Sequence, residues 1–277
     1  MAIAVAQLLR ARGEEPVAVS CDAIQVYRGL ETLSGAATPD ERARLEHRLV
    51  GFVEVTGEFS AGRFATLAHA EIDQLLSEGR RPLLVGGTGL YLRAALADLQ
   101  LRPPVSVELR AEVERELAER GPESLHSELD PDLAATVHRR DRKRIARLIE
   151  LQRAGIDPPS GSAQLWTAKL RRPTVLVGLT MDREELRRRI GGRVEVMVAA
   201  GGIKEARSAA EAGASRTARA ALGFEELLAG DTEAAKRAHR DYARRQLTWM
   251  RKMPGVHLID RTGRDDGDVA AEIASML

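Results

Sequence analysis

The sequence predicts an α/β fold with a parallel sheet, on three observations. Short apolar strands at 17–20, 81–85 and 173–180 alternate with longer segments of helical pattern. The first two of these strands run directly into a polar or glycine-rich turn. The chain has 277 residues, of which 44% are apolar, and this is enough for a full core in one or two domains. Such alternation favours a parallel sheet with helices on its faces.

The individual elements follow from local signals. A helix is predicted over 2–12 and ends at Gly13, and strand 17–20 is followed by a loop through Ala37. Pro39 opens the next helix, because proline suits the first helical position and acids follow it. The remaining predicted elements are an extended piece at 50–55, a helix capped by Ser60 and running through Leu76, a strand and glycine turn at 81–89 with a helix after it, a strand at 173–180, helices near 182–200, 203–212, 217–229 and 231–252, and a last strand at 256–259 before a polar tail.

A helical insertion is predicted where this alternation stops. Prolines at 103 and 104 break the chain, and charge-rich helical segments follow without an obvious strand. We therefore expect the first part of an α/β core at 1–101, the insertion at 102–170, and the second part of the core at 171–277, which contains a basic helix near its end.

The net charge of +1 hides segregated charge. Residues 139–147 hold six basic residues and one acid, and residues 236–252 hold seven basic residues and one acid. In contrast, residues 108–130 hold eight acids and three arginines. A single run of this kind is also typical of a solvated helix face, but two basic runs favour a nucleic-acid or phosphate partner.

The composition argues against several classes of protein. Aromatic residues are 3% of the chain, which disfavours a stacking platform for single-stranded nucleic acid. One cysteine excludes a disulfide framework and a Cys-rich zinc site, and the six histidines show no metal-ligand spacing. No signal peptide or long apolar run is recognised, so we expect a cytoplasmic protein without membrane association.

Two strand ends carry the candidate chemistry. Strand 17–20 delivers Asp22 at its carboxyl end, where open α/β sheets bind ligands, although an acid here is also suited to cap the following turn. The turn 86–89, Gly-Gly-Thr-Gly, follows another strand and opens a helix. Such a turn lets backbone N–H groups approach an anion and offers the hydroxyl of Thr88, but it is also a common strand–helix connection. In a parallel sheet both ends face one crevice, so we expect Asp22 and Thr88 to share a pocket.

Six segments, in family order, resemble the tRNA dimethylallyltransferases, prenyltransferases that modify adenosine 37 beside the anticodon. The segments are DAIQVYRG at 22–29, SAGRF at 60–64, LLVGGTGLYLRA at 83–94, DRKRIAR at 141–147, ALGFEE at 221–226 and ARRQLTWMRK at 243–252. The resemblance implies a P-loop-NTPase-like parallel sheet with helices on both faces and an all-helical, tRNA-binding insertion. It also implies transfer of a dimethylallyl group from dimethylallyl diphosphate to N6 of the adenine, assisted by Mg²⁺ whose ligands are not identified.

The resemblance assigns catalytic roles to two residues. Asp22 matches the acid that accepts the N6 proton as the C–N bond forms, and Thr88 matches a threonine near the reacting centre. Arg189 and Arg193 are candidates for the leaving diphosphate, whose growing charge favours nearby cations, unless they are ordinary surface arginines. The adenosine has to leave its stack to reach these groups.

A set of RNA contacts is also implied. Asp22, Ala23, Ile24 and Gln25 lie where the family has D-S-x-Q against the target nucleotides, and Ala23 lacks the usual serine hydroxyl. The further tRNA contacts implied by the resemblance are Thr88, Arg110, Lys143, Arg144, Ile145, Ala146, Arg147, Arg244, Arg245, Gln246 and Trp249. Phosphate contacts would position the anticodon stem-loop rather than read its sequence. We expect the protein to act as a monomer.

The chain departs from the family at two places. It contains no G-x-x-x-x-G-K-[ST], and MAIAVAQLLR resembles the helix directly after that motif, so the first strand and the P-loop are missing. A late start of the sequence is the expected explanation, and loss of the phosphate cradle is the other. The run LETLSGAA at 30–37 also lacks the lysine usual in relatives, which weakens the case for a cation there.

Other functions stay open at this point. Transfer to a free adenine nucleotide is the nearest alternative, although the insertion and the two basic runs favour tRNA. A catalytically impaired RNA-binding remnant would follow from the absent P-loop. A nucleoside phosphate kinase would need the same loop and would leave the RQLTWMR helix without a role.

Overall fold

The computed structural model describes residues 1–101, 104–157 and 167–277. The chain divides into two compact units, one formed by 1–99 and 163–277 and the other by 100–162. The strands are β1 (Pro16–Ser20), β2 (His47–Arg48), β3 (Arg81–Val85), β4 (Leu176–Thr180) and β5 (Val256–Asp260). The helices are α1 (Ala2–Ala11), α2 (Glu31–Ser34), α3 (Pro39–Arg44), α4 (Ala61–Ser77), α5 (Gly89–Leu96), α6 (Val107–His126), α7 (Pro131–Ala134), α8 (Arg142–Arg153), α9 (Arg183–Ala199), α10 (Gly202–Glu211), α11 (Phe224–Leu228), α12 (Thr232–Lys252) and α13 (Asp266–Ser275).

The predicted α/β fold with parallel strands is confirmed. In the larger unit β2, β1 and β3 form one parallel sheet in that order, with Pro16 opposite Arg81 and Ser20 opposite Val85. β4 and β5 form a second parallel pair. We expected one sheet, but within the described ranges no hydrogen bonds join β3 to β4. Side chains of β3 and β4 instead pack into one apolar cluster.

β1 is central because both of its faces are covered. Val17 and Val19 pack with Leu75 of α4, whereas Ala18 packs with Ala6 of α1. Successive side chains of a strand point to opposite faces, so this apolar run must be buried on both sides. β1 is therefore a rigid support for the residues that follow it.

The predicted polar tail is wrong, because residues Asp266–Ser275 form α13. Asp265 accepts a hydrogen bond from the N–H of Asp268 as the cap, so the acids of this segment are gathered at the helix start. The apolar face behind them, with Val269 and Ile273, packs against Val5 of α1. Because the acids stand at the start of this segment, its composition looks polar, although the residues after them form the apolar face of an amphipathic helix.

Three further boundaries differ from the predictions. The extended piece expected at 50–55 contributes only a bridge between Tyr27 and Val53, and the strand that pairs with β1 lies earlier, at β2. The loop expected through Ala37 contains α2. The helix expected from 217 begins only at α11, because Gly223 before it has a φ of 83°, which ends any helix there.

The smaller unit is helical, as expected for an insertion. Val113 and Leu117 of α6 pack against Ile145 and Leu148 of α8 in its core. α6 is interrupted at Gly121, which has a φ of 78°. Within the residues that the structure describes, no helix combines the length and apolar character needed to cross a membrane.

Candidate active site

The structure places Asp22 and Thr88 side by side, beyond the carboxyl ends of β1 and β3. Cys21 N–H donates to the carbonyl of Val85 over 2.7 Å and continues the pairing of the two strands. Ala23 N–H then donates to Oγ1 of Thr88 over 3.2 Å. The expected common edge is therefore present, with the two loops joined directly by a hydrogen bond.

Gly86 permits this approach. A Cβ added at Gly86 would lie 2.5 Å from the carbonyl oxygen of Cys21, well inside van der Waals contact. The two segments of backbone could not approach this closely if residue 86 carried a side chain. The glycine thus sets the separation between the Asp22 loop and the Thr88 turn.

One oxygen of Asp22 organises its own loop. Oδ1 accepts the N–H of Ile24 at 2.8 Å and of Gln25 at 3.4 Å. This is the turn-capping role considered above, and it holds the carboxylate in one orientation. No hydrogen bond to Oδ2 is found in the described part of the chain, so capping leaves one oxygen available for a ligand.

A polar relay runs from Gln25 to the turn that contains Gly35. Ser20 Oγ donates to Oε1 of Gln25 over 2.8 Å, and Nε2 of Gln25 donates to the Gly35 carbonyl over 3.3 Å. The guanidinium of Arg193 lies against Gly35, where an added Cβ would collide with it. Within the described ranges Arg193 forms no ion pair. This brings one of the two predicted diphosphate ligands next to the Gln25 loop.

The turn with Gly35 is held by a distant carboxylate. Oε1 and Oε2 of Glu205, in α10, accept the N–H groups of Thr32 and Leu33, each over 2.9 Å. These are N–H groups of the first turn of α2 that have no partner inside the helix. Glu205 therefore fixes α2 and, through it, the position of Gly35.

Three side chains of α12 contact the glycine turn. Nε2 of Gln246 donates to the Gly87 carbonyl over 3.1 Å, and the Trp249 ring packs against Gly89. The Tyr242 hydroxyl lies 3.3 Å from Oγ1 of Thr88. Gln246 and Trp249 are predicted RNA contacts, and the structure directs both side chains to the turn instead of outward.

The buried hydroxyl and thiol groups near this edge keep their protons at neutral pH. Burial raises the pKa of Tyr242, and the charge of Asp22 raises it further. Burial likewise raises the pKa of Tyr91 and of the Cys21 thiol. Cys21 is thereby disfavoured as a nucleophile, since its thiolate is the reactive form.

The other predicted residues of the larger unit lie on exposed helix faces. Arg244 pairs with Asp241 and its side chain is 74% exposed. The guanidinium of Arg245 lies 5.5 Å from the centre of the Tyr242 ring. Arg189 is paired with Glu185 at 2.8 Å, and no hydrogen bond or ion pair within the described ranges connects it with Asp22 or Thr88.

The predicted RNA contacts of the smaller unit divide into two kinds. Lys143 and Arg144 are exposed, whereas Ile145 and Ala146 are 0% and 4% exposed and belong to the core. The side chains of Ile145 and Ala146 pack inward because they share the apolar face of an amphipathic helix. Their assignment as RNA contacts assumed that every residue of the motif faces outward.

Arg110 and Arg147, also predicted to contact RNA, converge on a buried acid. Nη1 of Arg147 donates to Oε2 of Glu150 over 2.6 Å, and Nε of Arg110 lies 3.9 Å from Oε1 of the same residue. The Glu150 side chain is 5% exposed, so its charge requires partners. Both arginines therefore have a structural task within the insertion.

Sequence reasoning missed Ser20, Glu205 and Tyr242. Tyr242 had a usable signal, because it stands four residues before Gln246 and seven before Trp249, which places all three on one helix face. Ser20 and Glu205 had none, because the contact of Ser20 with Gln25 depends on the conformation of the loop between them, and the partners of Glu205 lie 173 and 172 positions away. Within the described ranges no group of three or more His, Cys, Asp or Glu residues converges in a way that could hold a metal ion.

Comparison with known proteins identifies the family. A profile of the family described as IPP transferase matches residues 25–253. A tRNA dimethylallyltransferase of Kineococcus radiotolerans is 38% identical over 291 residues, covering 99% of this chain and 91% of that protein. Another, from Anaeromyxobacter dehalogenans, is 39% identical over 272 residues, covering 92% of this chain and 89% of that protein.

Solved structures agree. A tRNA isopentenylpyrophosphate transferase from Bacillus halodurans superposes with a TM-score of 0.70 at 30% identity, over 99% of this chain and 90% of that one. A eukaryotic dimethylallyltransferase acting on tRNA gives a TM-score of 0.76 at 22% identity, over 99% and 74% of the two chains, and supports the fold alone. The chain belongs to the tRNA dimethylallyltransferases, a family of prenyltransferases.

Proposed function

We propose that this protein transfers the dimethylallyl group of dimethylallyl diphosphate to N6 of adenosine 37 in tRNA. The observation that carries the proposal is the approach of the Asp22 loop to Thr88 at the carboxyl edge of one parallel sheet. Carboxyl edges are where open α/β sheets bind substrates. Relatives named tRNA dimethylallyltransferase that match nearly the whole chain support the choice of reaction.

In the proposed reaction Asp22 is the general base. N6 attacks the allylic carbon, the bond from that carbon to the diphosphate oxygen breaks, and N6 loses one proton. The proton passes to Oδ2 of Asp22, and the electron pair of the broken bond leaves with the diphosphate. A carboxylate that is oriented by two backbone N–H groups, and that has one oxygen without a hydrogen-bond partner among the described residues, is suited to this step.

Positive charge for the diphosphate would come from Arg193. Its guanidinium borders the Gly35 turn and forms no ion pair within the described ranges, so an anion would not have to displace a carboxylate from it. Thr88 and the first N–H groups of α5 add donors at the same edge. Arg189 is already paired with Glu185, so we expect it to contribute less than Arg193 to binding the diphosphate.

Mg²⁺ enters this proposal together with the diphosphate. The described residues form no cage of metal ligands, and Mg²⁺ is commonly held through substrate phosphates with only one or two carboxylates. The residues near Thr88 therefore fit the metal as a companion of the diphosphate, and we assign it no protein ligand. When bound, the metal would neutralise charge on the leaving group.

The proposed acceptor is the anticodon stem-loop of tRNA, bound by a monomer in the cytoplasm. Exposed cations on two helices, Lys143 and Arg144 on α8 and Arg244 and Arg245 on α12, are suited to phosphate contacts. Adenosine 37 has to be turned out of its stack before N6 reaches Asp22, as for other enzymes that modify a base.

The test is prenyl transfer from labelled dimethylallyl diphosphate, with Mg²⁺, to an anticodon stem-loop. We expect label on the stem-loop with adenosine at position 37, and none on a matched stem-loop with purine there, which lacks N6. Transfer to AMP in preference to the stem-loop would replace this proposal with the nucleotide-modifying activity. Stem-loop binding without any transfer would favour the impaired RNA-binding remnant.

A further inference from the structure

Ser20 places a buried hydroxyl at the end of β1. It is the last residue of the strand, lies opposite Val85 of β3, and is 3% exposed. A hydroxyl that is buried without a hydrogen bond destabilises the fold, so this group requires a partner. Its Oγ lies 2.8 Å from Oε1 of Gln25. The hydroxyl of Ser20 is thus satisfied by a side chain of the Asp22 loop.

The direction of this hydrogen bond is fixed by the other end of the Gln25 amide. The carbonyl of Gly35 can only accept, so the group that faces it at 3.3 Å is the amide nitrogen of Gln25. The amide oxygen is then the atom that faces Ser20, and an amide oxygen also only accepts. The reversed amide would place two acceptors against each other at Gly35. Ser20 is therefore the donor.

Gln25 connects two parts of the candidate site. Its backbone N–H donates to Oδ1 of Asp22 over 3.4 Å, while its side chain reaches the Gly35 turn. Because Gly35 has no side chain, the exposed guanidinium of Arg193 can lie directly against it. Ser20 supplies the rigid end of this connection, since β1 is hydrogen-bonded to a strand on each side. The hydroxyl of Ser20 thereby determines where the Gln25 amide holds the Gly35 carbonyl.

We propose that Ser20 is a positioning residue for diphosphate binding, acting through the Gln25 amide and the Gly35 turn. Because Arg193 lies against this turn, the hydroxyl of Ser20 sets how far the guanidinium lies from Asp22. This assigns the Gln25 amide to the diphosphate side of the site, rather than to the RNA contact that the resemblance implies. The inference rests on the proposed function for the identity of the anion, but the hydrogen bond and anion binding can both be measured without turnover.

The first test measures binding of inorganic pyrophosphate, with Mg²⁺, to the unaltered protein, Ser20→Ala, Gln25→Met and the double variant. Ser20→Ala should weaken pyrophosphate binding by roughly threefold to tenfold, the range for one neutral hydrogen bond. Gln25→Met keeps the length of the side chain but removes the amide, so in this background Ser20→Ala should have no further effect on the Kd for pyrophosphate. The Kd of the Ser20→Ala variant for the stem-loop should not change.

The hydrogen bond itself is tested by urea unfolding of the same four proteins. Ser20→Ala and Gln25→Met should be coupled by roughly threefold to tenfold in the equilibrium constant of unfolding. Ser215→Ala is the matched control, because Oγ of Ser215 donates to the Gly57 carbonyl over 2.9 Å in the same unit. This variant should also destabilise the fold, but its effect should be independent of Gln25→Met, and its Kd for pyrophosphate should equal that of the unaltered protein.

Three outcomes would overturn the proposal. The first is independence of Ser20→Ala and Gln25→Met in unfolding. The second is an effect of Ser20→Ala on pyrophosphate binding that is absent, or is equal in both Gln25 backgrounds; a loss confined to stem-loop binding would instead assign the Gln25 amide to the RNA. The third is an unaltered protein that binds no pyrophosphate. Failure of prenyl transfer alone would refute the proposed function and leave these binding and unfolding results unaffected.

Discussion

Glu205 offers a sharp test of how the site is held together. Its two carboxylate oxygens each accept one backbone N–H of α2, from Thr32 and Leu33, at 2.9 Å. Glu205→Ala removes both acceptors, whereas Glu205→Gln keeps one oxygen and replaces the other with an NH₂ group that cannot accept. The two variants therefore differ by one hydrogen bond, and glutamine also keeps nearly the same shape as the glutamate it replaces.

The expected magnitude follows from the number of hydrogen bonds. A hydrogen bond to a charged group contributes about 1.5–3 kcal/mol, and Glu205 is only half-buried, so the lower end applies. Loss of both should reduce the local free energy of opening around α2 by about 3 kcal/mol, and loss of one by about half of this. These values correspond to roughly a hundredfold and a tenfold faster exchange of the α2 amides.

The assay is hydrogen exchange of the peptide that spans 29–37, with the α13 peptide as an internal reference. We expect graded loss of protection, with unaltered protein slowest, the glutamine variant next and the alanine variant fastest, and no change at α13. Equal protection in the unaltered protein and Glu205→Ala would refute the assignment of Glu205 as the support of this turn. Equal loss of protection in the two variants would show that the oxygen kept by glutamine contributes nothing.

Three other outcomes follow from contacts described above. Gly86→Ala should reduce the free energy of unfolding in urea by about 1–3 kcal/mol, because its Cβ would collide with the Cys21 carbonyl. The control is Gly191→Ala on α9, where the added Cβ meets open space, and this variant should leave stability unchanged or raise it. A combined Arg244→Ala and Arg245→Ala variant should bind the stem-loop more weakly and with a shallower salt dependence; an unchanged slope of log affinity against log salt would remove these residues from phosphate contact. Because burial raises the pKa of Tyr91 above its ordinary value of 10.0, the protonated form is favoured in the fold, and the free energy of unfolding should be level below that pH and fall as pH rises above it. Tyr91→Phe should remove part of that fall in urea titrations at several pH values, and an identical fall in both proteins would contradict the assignment.

The parts of the site that sequence reasoning predicted are those set by local pattern. The alternation at Val17 and Val19 predicts a strand, and the polar residue after it is then placed at a sheet edge. The glycine turn before α5 is recognisable for the same reason. Since carboxyl ends of parallel strands meet at one edge, the approach of Asp22 to Thr88 follows from two local signals and one topological rule.

What the sequence could not supply depends on contacts between distant segments. Glu205 is 173 positions beyond Thr32, and the sequence around either residue does not indicate that the two form a hydrogen bond. Gln246 carries no local sign that its amide reaches the Gly87 carbonyl. A sequence motif also does not indicate which of its residues face inward. Ile145 was predicted as an RNA contact for this reason, although it lies in the core.

The measurement that bears most directly on the central claim compares turnover and tRNA binding in Asp22→Asn. The amide keeps the Oδ1 contacts that shape the loop but has no charge with which to accept a proton at Oδ2. We predict that kcat falls by about a hundredfold or more, the usual scale for a general base, while the Kd for the stem-loop stays within about threefold. Unchanged turnover, with the substitution verified, would contradict the assignment of Asp22 as the base and with it the reading of this sheet edge as the reaction centre.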